Sequence, residues 1–339
     1  MKISHGTEMA RMQSFHRRAS AIETQLQQVS KELTTGLKSD LHEATAGNLG
    51  KLHGIERAIA RQEAYSRNVT IVEQRLDGMQ SGLAKIREPL AELGVDMASA
   101  AGISDYMASM TLADSARLDF KQAVSALNTK FNGQSLFAGA GLDSAALESG
   151  ETILAELDTL VAADATAADV IATIEDYFGD PPATGAFYTN GYVGSTTDMG
   201  SVDIAEGDRV DFSVRADDDE IVAALQALAL AAVVSGGALS GSQQEQMDVI
   251  AEAGTQLIQA NESLTDYAGS LGVIQEHVET TKAHNLAESS ALDIARANLI
   301  SSDQTEAATV FQALEAQLET VYTVTSRLSQ LSFVNYMGR

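Results

Sequence analysis

The sequence predicts a mainly α-helical protein, in which N- and C-terminal arms form a long antiparallel coiled-coil rod that carries a central α/β insertion domain. Both arms have apolar side chains spaced alternately three and four residues apart, the period of helices that wind around other helices. Residues 139–240 lack this period and contain glycine clusters and a strand-like alternation. Aromatic residues make up only 5% of the chain and Trp is absent, which favours long helices packed through Ala, Leu, Ile and Val.

Residues 1–45 are predicted to form an N-terminal assembly helix. The helical pattern runs from about Glu8 to Leu37, where Gly36 and the polar stretch Lys38–Asp40 end it. The apolar stripe on this helix, called here the N-terminal seam, consists of seven residues: Met12, Phe15, Ala19, Ile22, Leu26, Val29 and Leu33.

Residues 46–138 are predicted to form the helical rod part of the N-terminal arm. The most regular apolar seam of the chain covers residues 55–100 and contains Pro89, which predicts a kink or a tolerated bend. A further helix over residues 111–130 leads into Asn132-Gly133, a turn signal.

The α/β insertion is predicted over residues 139–240. Two short helices are expected near residues 151–162 and 167–178. A β-hairpin is expected around Glu206-Gly207, because apolar residues alternate with polar ones on both sides of it: Val202 and Ile204 before the turn, then Val210, Phe212 and Val214 after it. The acidic run Asp217–Glu220 is expected to begin a helix, where carboxylates favour the positive end of the helix dipole.

The C-terminal arm repeats the pattern of the N-terminal arm. Residues 241–289 are predicted to form a helical rod arm with a seam over residues 250–281, and residues 290–339 a C-terminal assembly helix. The last helix carries the C-terminal seam: Ala307, Phe311, Leu314, Leu318, Val321, Thr325 and Leu328.

The two terminal seams predict an assembly interface. An isolated amphipathic helix is marginally stable in water, so each seam needs a partner, either the other end of the chain or another molecule. The residues expected to form this interface are Met12, Phe15, Ile22, Leu26, Val29, Leu33, Phe311, Leu314, Leu318, Val321, Leu328, Leu331, Phe333 and Tyr336.

Composition argues against several classes of partner. The net charge of -25 argues against nucleic acid and anionic membranes, which reward clustered positive charge. No Cys is present, so disulfides, thiolate metal sites and thiol nucleophiles are absent from the chain. No run of 18 apolar residues and no cleavable secretory signal are visible, so we expect a soluble protein whose export would use another route.

The sequence predicts no catalytic, cofactor or metal site, and the protein is expected not to be an enzyme. His42-Glu43 lacks the second His of a metalloprotease, and the pair His277 and His284 lacks a third ligand nearby in sequence. Gly47–Lys51 lacks the Ser or Thr of a phosphate loop. The acidic run of residues 217–220 does not fit a calcium loop and is expected to cap a helix.

Several segments together resemble the bacterial flagellin family and, more closely, its hook-associated members, which join hook to filament. The opening MKIS of residues 1–4 and QQVSKELTTGL of residues 27–37 resemble the amino-terminal pattern of the family. The segment NTKFNGQSLFAG of residues 128–139 is similar to a turn found in both groups, and its LFAG ending is closer to the junction proteins. Residues 187–189, 214–218 and 328–337 also resemble the junction proteins.

The resemblance implies a structural component of the extracellular bacterial flagellum. It implies export in an unfolded state through the flagellar type III apparatus, without signal cleavage, and terminal helices that become ordered among neighbouring subunits. The implied partners are copies of the same chain in a ring, another hook-associated protein on the hook side, flagellin on the filament side, and an export chaperone.

Three alternatives remain open from the sequence. The chain is a flagellin that forms the filament itself, or a secreted enzyme whose site in the insertion uses Asp203, Asp211 and Asp217. A coiled-coil signalling protein is the third alternative, and the lack of a membrane-spanning run disfavours it.

Overall fold

The computed structural model describes residues 3–45, 49–179 and 185–337, with side chains described for all of these except residues 3–9, 43, 329 and 331–337. Gly47 and the Pro181-Pro182 pair lie outside the described residues. The helices are α1 (Ile3–Thr35), α2 (Leu41–Ala44), α3 (Leu49–Gly102), α4 (Tyr106–Leu127), α5 (Gly150–Leu160), α6 (Ala167–Phe178), α7 (Asp219–Ser235), α8 (Gln243–Ile300) and α9 (Gln304–Met337). The strands are β1 (Lys130–Phe131), β2 (Gln134–Ser135), β3 (Met199–Ala205) and β4 (Asp208–Phe212).

The chain forms two compact units. Unit 1 comprises residues Met1–Glu63 and Ala287–Arg339, and unit 2 comprises residues Ala64–Leu286. Helices α3 and α8 contribute residues to both units. The division of the chain into two assembly helices, two rod arms and an insertion remains a prediction about roles.

Unit 1 is built on the antiparallel pairing of the first and last helices. The connection after α1 pairs with the connection before α9 through an antiparallel bridge between Leu37 and Ser301. Further along, the Tyr322 hydroxyl donates a hydrogen bond of 2.5 Å to Glu23. Long helices at both termini therefore pack against each other, as the sequence predicts.

Unit 2 contains the continuous apolar core, whose axis is the antiparallel pair of α3 and α8. The predicted seams of both helices are buried here: Val69, Val72, Leu76, Met79, Leu83, Ile86, Leu90, Leu93 and Met97 of α3, and Ile250, Ala253, Leu257, Ala260, Leu264, Leu271 and Val278 of α8. Two glycines, Gly94 and Gly254, allow close approach of the helices. A Cβ added to either one would lie 3.2 Å from the carbonyl oxygen of the other. Helix α3 continues through Pro89, so the proline is tolerated within the helix.

The segment after α4 folds back onto α3. Asn132 and Gly133 both have positive φ, 51° and 81°, and form the predicted turn between β1 and β2. Beyond this turn, Leu136 and Phe137 are buried against two glycines of α3. A Cβ on Gly78 would lie 2.8 Å from Leu136, and one on Gly82 would lie 2.8 Å from Phe137.

The insertion has the predicted elements. The two short helices are α5 and α6, and the predicted hairpin is the pair β3–β4, in which Val202 lies opposite Val210. Over Ile221–Val234, helix α7 is buried except at the exposed Ala223 and the half-buried Gln226. It packs mainly against α4, and this burial explains its nearly continuous apolar sequence. No helix among the described residues is both long enough and apolar enough to traverse a lipid bilayer.

One boundary differs from the sequence pattern. The final helical segment is expected to begin at about Leu286. In the structure α8 continues to Ile300, and the helix is interrupted only at residues 301–303, before α9. The Asp303 carboxylate accepts hydrogen bonds from the backbone N–H groups of Thr305 and Glu306, which fixes the start of α9 at this point.

Candidate assembly surfaces

The N- and C-terminal seams lie on α1 and α9, which pack against each other in unit 1. Only three seam residues are fully buried, namely Ala19, Ala307 and Leu314, at 8%, 5% and 7% exposure. Eight further seam residues are half-buried: Phe15, Ile22, Leu26, Val29, Phe311, Leu318, Val321 and Thr325. Each seam therefore covers the other only in part, and the pair keeps exposed apolar surface.

Some predicted interface residues are not covered by the pairing of α1 and α9. Met12, Leu33 and Leu328 are 42%, 37% and 40% exposed. Leu331, Phe333 and Tyr336 belong to α9, but their side chains lie outside the described part of the chain. The assembly role of all these residues remains a prediction.

The structure adds exposed apolar residues that the seams do not include. Val310, Tyr322 and Val324 of α9 are 41%, 50% and 36% exposed, and Leu37 and Leu41 are 42% and 40% exposed. Val310 and Val324 are fourteen residues apart, which is two heptads, so they lie on one face of α9 beside the C-terminal seam. This spacing is the signal by which the sequence could have indicated them.

A cleft of about 410 Å³ lies where α1 and its following loop meet the start of α9, and we call it the acidic cleft. Its apolar floor includes Val29, Ala307, Val310 and Leu314. Its charged lining residues are Glu32, Lys38, Asp40, Asp303 and Glu306. Hydrogen bonds from the backbone N–H groups of Glu306 and Thr305 lower the pKa of the Asp303 carboxyl, so this group stays ionised near neutral pH.

One of the histidines considered for metal binding, His277, contacts a carboxylate. His277 Nε2 lies 3.0 Å from a carboxylate oxygen of Asp208, which joins α8 to the start of β4. The Thr281 hydroxyl donates to the same carboxylate at 3.3 Å. Within residues 3–45, 49–179 and 185–337, no group of three or more His, Cys, Asp or Glu side chains is arranged to hold a metal ion.

Two of the three carboxylates considered for an enzyme site form ion pairs with arginines. Asp203 lies 2.5 Å from Arg209, and Asp217 lies 2.7 Å from Arg215. Asp211 is an exposed residue of β4. The acidic run does begin α7, as predicted, with Asp219 and Glu220 in the first turn.

Asp218 has a different role from the cap that the sequence predicts. Its side chain makes no capping bond and instead accepts hydrogen bonds from the Tyr267 hydroxyl, at 2.5 Å, and from the Arg215 backbone N–H, at 2.7 Å. Burial raises the pKa of Asp218, and burial together with the Asp218 charge raises the pKa of Tyr267. This network connects the insertion to α8.

Terminal helices that pair through half-covered apolar seams are typical of subunits that assemble. The family model of the bacterial flagellin N-terminal helical region matches residues 7–141, and that of the bacterial flagellin C-terminal helical region matches residues 255–337. Together these matches cover both arms and more than half of the chain. The chain therefore belongs to the bacterial flagellin family and is a structural protein of the flagellum.

Two solved structures resemble this fold. One is a protein from Vibrio parahaemolyticus assigned as a flagellar hook-associated protein, with 13% identity, a TM-score of 0.53, and coverage of 73% of this chain and 95% of that chain. The other is FlgL of Bacillus cereus, with 14% identity, a TM-score of 0.50, and coverage of 72% of this chain and 98% of that chain. Comparison with curated protein sequences gives no significant match.

Proposed function

We propose that this chain is a non-enzymatic adaptor at the junction of the flagellar hook and filament, where several copies form a ring through their terminal helices. The observation that carries this proposal is the incomplete cover of the two terminal seams, on which Phe15, Phe311 and Leu318 are only half-buried. Packing against neighbouring subunits would bury the remaining apolar surface, which is the usual source of stability for such helices.

The partners of the ring follow from its place at the junction. Another hook-associated protein would bind on the hook side and flagellin on the filament side. The likeness in fold to a hook-associated protein and to FlgL supports a junction role, and so does the Leu136–Gly139 segment, whose sequence resembles the junction proteins.

The route to that position is export to the cell exterior through the flagellar type III apparatus, without a cleaved signal and with the help of an export chaperone. The absence of Cys is compatible with passage as an unfolded chain into an oxidising exterior. In this proposal, residues 1–45 and 290–339 are the assembly helices, residues 46–138 and 241–289 the rod arms, and residues 139–240 the insertion.

Deletion of residues 328–339 tests the proposal. We expect a soluble, largely helical monomer, because the core of unit 2 does not include these residues. We also expect that filaments no longer attach to hooks in a strain that carries only this variant. Substitution of the exposed Gln312 by Ala is the matched control and should leave attachment intact. Normal filament attachment in the deletion strain would contradict an assembly role for the C-terminal end.

A second candidate function is that of a flagellin which forms the filament itself, and it is favoured by the match to both flagellin helical regions. Polymerisation separates the two candidates. Under conditions that assemble filaments, the purified adaptor should form at most short rings, whereas a flagellin should form long polymers of itself. Long polymers of the purified chain would refute the adaptor proposal.

A further inference from the structure

One end of the α1–α9 pair is basic, although the chain as a whole is strongly acidic. Residues 10–22 of α1 and 320–337 of α9 contain no Asp or Glu, and they contain four arginines: Arg11, Arg17, Arg18 and Arg327. All four are exposed, and none forms an ion pair with a carboxylate among the side chains that the structure describes. We call this surface the basic end of unit 1.

The acidic cleft lies toward the other end of the same pair of helices. It carries four carboxylates, on Glu32, Asp40, Asp303 and Glu306, against the single cation of Lys38. Arg18 and Glu32 are fourteen residues apart on one helix, which corresponds to about 21 Å. That separation exceeds the screening length of about 8 Å at physiological salt, so the two surfaces do not neutralise each other within one copy.

Apolar side chains accompany the charges on both surfaces. At the basic end, Met12 and Leu328 are 42% and 40% exposed. Its border is Tyr322, which is 50% exposed and donates a hydrogen bond to the Glu23 carboxylate. The lining of the acidic cleft includes the exposed Val310 and the half-buried Val29. The two surfaces are thus complementary in charge, and each has apolar area to bury in a contact.

We infer that the basic end of one copy packs into the acidic cleft of the next copy, so that the terminal helices associate head to tail; this inference rests on the proposed assembly through terminal helices. Copies that each carry a net charge of -25 repel one another on approach, so a contact between them is most favourable where the unpaired arginines meet carboxylates. A contact between two different surfaces is heterologous, and heterologous contacts close into rings when the rotation between copies permits.

Cysteine cross-linking tests the contact, and no native Cys can form competing disulfides because the chain contains none. Gln13 and Gln28 are exposed residues of α1, at the basic end and at the acidic cleft respectively. They are about 22 Å apart along the helix, beyond the limit of about 7 Å for a disulfide, so a bond between them joins two copies. In flagella from a strain carrying full-length Gln13→Cys/Gln28→Cys, we expect a ladder of cross-linked chains. Each single Cys variant should give no ladder, and neither should Gln13→Cys/Gln122→Cys, which has its second Cys on α4.

Charge reversal then identifies the attraction. In the double-Cys chain, we expect Arg17→Glu/Arg18→Glu at the basic end to reduce cross-linking at least tenfold. We expect the same of Gln25→Lys/Glu306→Lys in the acidic cleft, which Gln25 also lines. These changes leave the hydrogen bonds of Glu32 and Asp303 in place. Co-expression of the two variants should restore at least half of the cross-linking, because each altered surface then meets a complementary one. Lys51→Glu/Lys85→Glu makes the same change in net charge as Arg17→Glu/Arg18→Glu, at exposed positions elsewhere, and should have no effect.

Three results would overturn the inference: no ladder although the chain is present in junctions, charge reversals that leave the ladder unchanged, or a loss that co-expression does not restore. A ladder to a different flagellar protein, or capture of the basic end by an anionic surface, would also overturn it, since the occupant would not be a second copy. Junctions are scored separately by electron microscopy, so a chain that is found in junctions but gives no ladder would overturn this inference and leave the proposed function standing.

Discussion

At the scale of single residues, Asn128 connects the end of α4 to the chain that enters the insertion. Its Oδ1 accepts hydrogen bonds from the backbone N–H groups of Ala146 and Leu147, both at 2.9 Å. Its Nδ2 donates to the Leu147 carbonyl oxygen at 2.9 Å. One side chain thus satisfies three backbone groups of a segment that forms no regular secondary structure.

Replacement of Asn128 by Ala should destabilise unit 2, because it leaves these partly buried backbone groups without partners. We expect a loss of about 2 to 3 kcal/mol in the free energy of unfolding, measured by urea denaturation. Asn298→Ala is the control, since this residue of α8 is exposed and the change should have an effect below about 0.5 kcal/mol. Equal effects of the two substitutions would argue against the role given to Asn128.

Asp218 predicts a pH effect whose direction follows from its raised pKa. The folded protein holds the proton of Asp218 to a higher pH than the unfolded chain, whose carboxyl titrates near 3.8. Stability from this group is therefore greatest below pH 3.8 and falls as pH rises through the raised folded pKa. Asp218→Asn can still accept from Arg215 and Tyr267, so its free energy of unfolding should lack this fall.

The comparison is made by urea denaturation across the acidic range, with Asp211→Asn on exposed β4 as the control for removal of one carboxylate. We expect the difference between Asp218→Asn and the parent to become more favourable to the variant as pH rises. A difference that stays constant with pH would rule out this titration.

Residue-scale contacts were only partly predictable from the sequence. The Asn132-Gly133 turn was predictable because both residue types tolerate positive φ at adjacent positions. The role of Asn128 was not, since its partners are 18 and 19 residues away and nothing local marks them. The same holds for Asp218, whose bond to Tyr267 spans 49 residues.

At the scale of elements, the closest approach of α3 and α8 depends on a pair of glycines. A Cβ on Gly254 would lie 3.0 Å from the backbone nitrogen of Ala98 and 3.1 Å from the Cβ of Met97. Backbone atoms cannot move aside as the end of a flexible side chain can, so a side chain here would push the helices apart.

Gly254→Ala should therefore destabilise the protein although Ala is the better helix former. Overpacking lowers the free energy of unfolding by about 1 to 3 kcal/mol, whereas the higher helix propensity of Ala raises it by about 1 kcal/mol. Gly272→Ala on the same helix has open space around the new Cβ and should stabilise by about 0.5 to 1 kcal/mol. Thermal unfolding of the two variants should give shifts of opposite sign, and a stabilised Gly254→Ala would show that the helices are not in tight contact.

The element pattern was largely predictable, because period and turn signals are local. The seams of α3 and α8 and the β3–β4 hairpin are where the alternation of apolar residues indicates. The contact of Gly94 with Gly254 was not predictable, since an isolated Gly in a helical pattern signals nothing about its partner. The assembly residues are predictable only as a stripe: the period marks Phe15 and Leu318 but does not say which molecule covers them.

At the scale of the whole molecule, the two units differ in how completely they bury apolar side chains. The core of unit 2 includes large side chains with almost no exposure, such as Phe120, Phe137, Phe178 and Phe187. In unit 1 the paired seams of α1 and α9 are mostly half-buried. Local opening should therefore cost less free energy in the terminal helices than in unit 2.

Hydrogen exchange on the purified monomer measures this difference. We expect the backbone amides of residues 10–33 and 307–328 to exchange at least tenfold faster than those of residues 69–97, which corresponds to about 1.4 kcal/mol. Assembly into the junction should reduce the difference. Equal protection of the terminal helices and of α3 in the monomer would contradict the idea that the ends need a neighbour.

The pairing of α3 with α8 also has a consequence for the order in which the chain is made. Glu73 and Lys282, which form an ion pair between these helices at 2.6 Å, are 209 residues apart. During synthesis from the first residue onward, the apolar stripe of α3 therefore remains without its cover until most of the polypeptide has left the ribosome. During that interval the nascent protein is most prone to aggregate. The interval lengthens with the number of residues in the insertion, because these are synthesised between α3 and α8.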